Sequence, residues 1–282
     1  MSSNNLKKIL SLNPETEHWE IVRLSSMYEF PWDFNRALEL ALFRTFASPS
    51  IAKILHTSKQ FEKYPQKRYD DTDLILSEII ENGLESERGK AAIDRLNFIH
   101  HHFKISNEDY LYVLSTFVFE PRRWVDKYGY RKLTMNERLA GFKVWREIGT
   151  AMHIQNIPAT VDELEKLNIE YEQKYFRFTK ENHKVANATV DMLLGWYLPK
   201  WMFQVAKPFV CALMDKPLLD AVGFKEPNVV VKFLVSLFFA VRKIIVGLLP
   251  KRSAPLLRTQ LPNKTYPEGY AIDDLGPAHM RK

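Results

Sequence analysis

Apolar residues recur along this chain mainly at spacings of three and four, the period of one helix face rather than of a half-buried strand. Residues 33–47 set Phe34, Leu38, Leu42 and Phe46 on one stripe, with Asp33 as the expected N-cap. Pro49 ends that stretch, and Ser50 is placed to cap a short helix over 50–57. Residues 70–82 open on acids, which suit a helix N-terminus, and close at Gly83. A further helix is expected over 86–103. The next starts at Ser106, with Asp109 three residues on, and stops before Pro121. Glu120 to Trp124 then reads as a helix-ending turn carrying an ion pair. Thr134-x-x-Glu137 and Thr160-x-x-Glu163 are capping boxes for helices over 134–150 and 160–178. No alternating segment is long enough to build a sheet, and no repeat is visible. The expected fold is all-α, one domain over residues 1–282.

Two stretches break this pattern. Residues 190–214 are apolar but interrupted by Pro199 and Pro208; the tryptophans Trp124, Trp145, Trp196 and Trp201 read as packing. Residues 229–249 are apolar for long enough to span roughly 30 Å as a helix. At 100° per residue, however, Lys232, Ser236 and Lys243 share one narrow stripe, and only Arg242 sits elsewhere. A membrane-crossing helix rarely carries three cations near its centre. Residues 190–252 are therefore read as an apolar, basic arm that lies on a membrane surface or packs on the domain, and 253–282, with four prolines, as an extended tail laid along the surface.

Charge sharpens the arm. The net charge is +6, and residues 200–260 carry ten Lys or Arg against three acids. A basic region suits nucleic acid or an anionic membrane, and coincidence with the greasiest segment favours the membrane over nucleic acid. A single cysteine, Cys211, excludes a disulfide framework and a cysteine metal cage. The N-terminus shows no apolar run of signal-peptide or anchor type. The expected location is intracellular, cytoplasmic or peripheral to a membrane.

Two short motifs carry candidate chemistry. RLNFIHHHFKI places His100, His101 and His102 in succession. On a helix they point about 100° apart, so they cannot all face one pocket. Leu96, Ile99 and Phe103 mark the apolar stripe, and His100, next to Ile99 and one turn from Leu96, is the best inward candidate; His101 or His102 stays open as the alternative. A neutral inward imidazole suits an axial haem ligand or a hydrogen-bonded core histidine. In KRYDDT, Arg68 and Thr72 stand at i, i+4 on one helix face. A guanidinium beside a hydroxyl can hold a carboxylate or a ligand oxygen. The plainer reading is a helix-start ion pair with Asp70 and Asp71.

KRYDDT (67–72), RLNFIHHHFKISNEDYLYVLSTFVFEPRRW (95–124), YGYRKLTMNERLAGFKVWREIGTAM (128–152) and YPEGYAIDDLGP (266–277) together resemble the rubber oxygenase and mpaB-type oxygenase catalytic domains, nearer to the fungal mpaB branch. The resemblance covers about residues 15–280. It implies a globin-like helical core and b-type haem, with His100 as the iron ligand and Arg68 and Thr72 near the haem. It implies O2-dependent cleavage or oxidation of a C=C bond in a hydrophobic, isoprenoid or lipid-chain substrate. A non-catalytic haem- or lipid-binding protein is the alternative. The chain departs from the rubber-cleaving branch at Asp71, where that branch has lysine, and at Asn97, where it has arginine. By position, Asp71 is then expected at the catalytic site with Arg68 and Thr72, and Asn97 beside the cofactor.

Overall fold

A computed structural model of the chain describes residues 4–280, and among them fourteen α-helices and no strand. The all-α expectation stands. Three of the five expected side-chain caps form, at Ser106, Thr134 and Thr160, and Ser86 adds one. Ser86 accepts from the Gly89 amide and Ser106 from the Asp109 amide, while Thr134–Glu137 and Thr160–Glu163 form full capping boxes.

Helices that begin on proline differ from expectation. The helix Pro31–Phe46 starts two residues before Asp33, and Pro49, not Ser50, opens Pro49–Ser58. Proline in the first turn forfeits an N–H that has no partner there anyway and presets φ for the helix; none of these starts has a side-chain cap. The next long helix runs Pro65–Asn82, which places Asp70 and Asp71 in its interior, buried, rather than at its start. The helix Asn107–Tyr128 continues straight through Pro121, so Glu120 to Trp124 is helical and not a turn. The lost hydrogen bond is offset by burial of Phe119, Trp124, Val125 and Tyr128 on either side of it.

Asn107–Tyr128 is the central column. It packs on Pro31–Phe46, on Met135–Ala151 and on Val161–Tyr175. Beside it, Pro65–Asn82 and Glu87–His101 form a helical hairpin whose turn is Gly83, at φ +78. Gly83 and Gly89 are in close contact: a Cβ on Gly89 would lie 1.8 Å from the Gly83 carbonyl oxygen. Arg68 and His100 are about equally far from this turn, so antiparallel packing brings them level.

Arg44 is a hub in this bundle. Its guanidinium meets Glu120 at 2.8 Å and Glu172 at 3.1 Å, and also bonds Asp215. Burial alone would lower its pKa; the three carboxylates outweigh that and hold it above the ordinary value.

The tail is fastened by acids of the Pro65–Asn82 helix. Arg258 pairs with Asp73, Thr259 donates to Glu81, Thr265 to Asp70, Tyr266 to Asp71 and Tyr270 to Glu78. Arg95, on the histidine helix, donates to the Leu275 and Met280 carbonyls. Gly276, at φ +104, passes so near the histidine helix that a Cβ would meet Ile99 at 2.5 Å.

The arm is packed along one edge only. In the helix Val229–Leu248, Val235 and Phe239 bury against Phe30, Trp124 and Tyr128. Arg242, the cation off the polar stripe, turns inward: it donates twice to Asp33, at 2.8 and 3.0 Å, and lies 3.9 Å over the Trp32 ring. The other faces are open, with Phe233 63% and Leu248 83% exposed. Trp201, expected to pack, is 79% exposed. Among the described residues no helix is long and apolar enough to cross a membrane.

Candidate functional site

The hairpin, the central column and the tail enclose one large chamber. Its empty volume is about 1420 Å³ counted to its mouth. Leu96, Ile99, Val113, Leu114, Phe117 and Trp145 make most of the wall greasy, and Gly276 and Pro277 of the tail close part of it.

Four residues singled out from the sequence meet here: Arg68, Asp71, Thr72 and His100 all line the chamber. Asn97 does not. It lies on another face of its helix and donates its amide to the Ala151 carbonyl at 2.9 Å, tying two helices together. His101 and His102 are exposed, and His102 pairs with the Phe98 carbonyl at 2.8 Å. His100 is therefore the inward member of the triplet.

The His100 ring forms no hydrogen bond with the described residues, and its Nδ1 is buried without a partner. What exposure the side chain keeps is toward the chamber it lines. The Tyr110 ring meets it edge-on at 5.6 Å between centroids. Burial, reinforced by the nearby Arg68 charge, pushes the imidazole pKa down to about 4, so it is neutral at physiological pH.

Arg68 is the counterpart. Its guanidinium donates to Thr72 Oγ1 and lies 5.2 Å over the Phe61 ring. Thr72 in turn donates to the Arg68 carbonyl at 3.0 Å, which fixes the pair as the i, i+4 spacing implies. Arg68 forms no ion pair with the described residues; burial lowers its pKa, and the Asp71 charge opposes that only in part. A buried cation without a carboxylate partner is costly, and it is a ready seat for an anionic group of a ligand.

Asp71 is already engaged. It accepts two bonds from Lys67, at 2.8 and 2.9 Å, and one from the Tyr266 hydroxyl at 2.6 Å; Lys67 also donates to the Gly276 carbonyl at 2.8 Å. It thus locks the tail over the chamber. Sequence reasoning missed this latch because its halves lie about 200 residues apart. Glu39 and Tyr69, in a neighbouring compartment, were also missed. The i, i+3 pair of Arg36 with Glu39 reads as an ordinary surface ion pair and gives no local signal that the carboxyl points inward.

The donor set decides which metal group fits. Among the described residues no cluster of three His, Cys, Asp or Glu side chains gathers in metal-binding geometry. One neutral imidazole in an apolar chamber is too little for a bare ion. It matches a metal that brings its own four equatorial ligands, as haem does. The orphaned Nδ1 and the unpaired Arg68 charge, which would face a propionate, fit the same group.

Fold and chamber together define an all-helical protein with a greasy internal chamber and an inward histidine. The family described as "ER-bound oxygenase mpaB/B'/Rubber oxygenase, catalytic domain" matches residues 34–264. The chain belongs to this family. An ER-bound oxygenase mpaB' of Penicillium brevicompactum is 28% identical over 270 residues, 89% of this chain and 63% of that protein. An ER-bound oxygenase mpaB of Penicillium roqueforti is 30% identical over 231 residues, 75% of this chain and 77% of that protein. The mpaB of P. brevicompactum is 29% identical over 200 residues, 51% of its length. The chain thus spans from about half to about three quarters of these relatives.

Proposed function

We propose that the chain is a haem b-dependent oxygenase that cleaves or oxidises a C=C bond of an isoprenoid or lipid-chain substrate with O2. One observation carries this reading: an unpartnered neutral imidazole and an uncompensated guanidinium share one greasy chamber. Haem supplies the oxygen chemistry when bound. His100 would supply the iron ligand, and burial keeps its ring neutral at physiological pH. Arg68, braced by Thr72, would hold an anionic group such as a propionate. The apolar wall excludes water and accepts a hydrocarbon chain. Asp71 acts at one remove, by holding Lys67 and the tail in place.

The visible spectrum of the purified protein, with hemin offered, is the primary test. A Soret band is expected, followed by O2 uptake when a prenylated substrate is added. A folded preparation that stays colourless refutes the haem site. A Soret band without O2 uptake on any prenyl or unsaturated lipid chain would leave a haem-binding protein without turnover.

The substrate class bears on the arm. An isoprenoid partitions into bilayers, and the exposed face of Val229–Leu248, against which the helix Phe203–Cys211 with exposed Val205 and Phe209 packs, is broadly apolar. Lys200, Lys243 and Arg252 of the same segment are exposed, so an anionic membrane is the complementary partner. The protein is expected to float with anionic vesicles at low salt, and Phe233→Asp with Leu237→Asp to leave it behind. Wild-type protein that stays at the bottom of the gradient removes the membrane from this scheme.

A further inference from the structure

A second compartment abuts the His100 chamber. Leu42, Thr72, Leu76, Phe117 and Trp145 line both. Phe117 and Trp145 stack with centroids 4.5 Å apart, so the shared wall is partly a pair of flat rings. The compartment holds about 970 Å³ counted to its mouth and is largely apolar, with Val22, Phe34, Leu38 and Ile80 in its walls. Its polar end is where Glu39 and Tyr69 meet.

The two oxygens of Glu39 are not equivalent. Tyr69 donates to Oε1 at 2.9 Å, and Arg36 reaches the same oxygen at 2.6 Å. Oε2 receives no hydrogen bond from the described residues, yet it is not among the sealed-off buried polar atoms. Its access is to the compartment that Glu39 lines. The charged and titratable groups facing this carboxyl are Arg36, Tyr69, Asp73 and Arg258. Arg36 is spent on Oε1, and Arg258 is held by Asp73 at 3.2 Å. An acceptor is left in a mostly apolar space without a donor.

We infer that this compartment is a head-group site, which takes the neutral hydroxyl end of an amphipathic substrate as a donor to Glu39 Oε2. The apolar remainder of the molecule runs along the shared wall toward His100. This rests on the hydrophobic-substrate reading above and specifies its polar end as an alcohol or phenol. A carboxylate head is disfavoured, because Glu39, Asp73 and Glu81 line the same space against one cation, Arg258, which Asp73 already holds. A head with no donor leaves Oε2 desolvated and unpaired, the arrangement that discriminates most strongly between ligands.

The test is calorimetric titration of the full chain with a prenyl alcohol, farnesol, and with its methyl ether, which keeps the chain and loses the donor. The alcohol is expected to bind roughly tenfold more tightly or better. Glu39→Leu should bring the alcohol down to the affinity of the ether. Glu39→Gln, whose amide oxygen still accepts, should keep part of the preference.

A pH arm runs beside these. Burial, opposed by Arg36 and Tyr69, leaves the Glu39 pKa raised to about 7. The ionised form is the stronger acceptor, so the wild-type preference should grow between about pH 6 and about pH 8, and the Gln variant should be flat. Equal wild-type affinities for alcohol and ether, or a preference that survives in Glu39→Leu, overturn the head-group site. The haem site is read separately from the Soret band of the same samples and would stand. If neither ligand binds, the hydrophobic-substrate reading falls along with the head-group site.

Discussion

His100→Ala is expected to give a folded protein that has lost its Soret band. The ring makes no hydrogen bond with the described residues and faces a chamber that is already open, so its removal strands no partner. The stability change should stay within about 1 kcal/mol, small for a buried site. Haem binding, by contrast, loses its one protein donor. Added imidazole can enter the vacated space and is expected to restore part of the band. His101→Ala and His102→Ala serve as controls, because both side chains are exposed and should leave the spectrum unchanged. A normal Soret band in the His100 variant would place the iron ligand elsewhere and remove the basis of the proposed chemistry.

Arg44→Met should destabilise the fold by about 3–5 kcal/mol, the usual cost of removing one partner from a buried ion pair. The variant leaves Glu120 and Glu172 facing each other with one cation gone. Arg123 still reaches Glu120 at 2.6 Å, and Tyr112 still donates to Glu172 at 3.1 Å, so the site is weakened rather than emptied. Asp215 is half exposed and contributes least. Arg44→Lys should recover only part of the loss, since one ammonium cannot fork to three carboxylates. With typical total stability of about 5–15 kcal/mol, the Met variant sits near the edge of folding. Urea unfolding of the three proteins reads this directly. A loss under about 1 kcal/mol for Met would mean that the carboxylates find other partners.

The helical class and several N-termini, those at Ser106, Thr134 and Thr160 among them, were legible in the sequence because their causes are local. A capping box such as Thr134–Glu137 is complete within four residues, and so is the Arg68–Thr72 pair. His100 was legible from periodicity alone, because its inward turn follows from Leu96 and Ile99. Starts at Pro31 and Pro65 were missed, because a proline start needs no side-chain cap to announce it. Asp70 and Asp71 looked like helix-start acids because their partners, Thr265 and Tyr266, are supplied by the other end of the chain. Arg44 and Glu39 share that limitation in part: both lie on Pro31–Phe46, and the partners of Arg44, Glu120, Glu172 and Asp215, and the Tyr69 partner of Glu39 come from distant segments. Asn97 stands near His100 in sequence, but a rotation of about 300° over three residues sends it to a different helix.

The latch formed by Lys67, Asp71, Tyr266 and Gly276 sets an order of events. Any chain that ends before residue 276 lacks part of the chamber's lining, whatever the state of its helices. During synthesis the cavity is completed only after residue 276 has emerged. A bulky group of the kind proposed would therefore meet an unfinished, accessible cleft first and would become enclosed only when the segment around Gly276 settles over it. Its retention would then depend on how often that segment lifts, as well as on how tightly any one side chain grips.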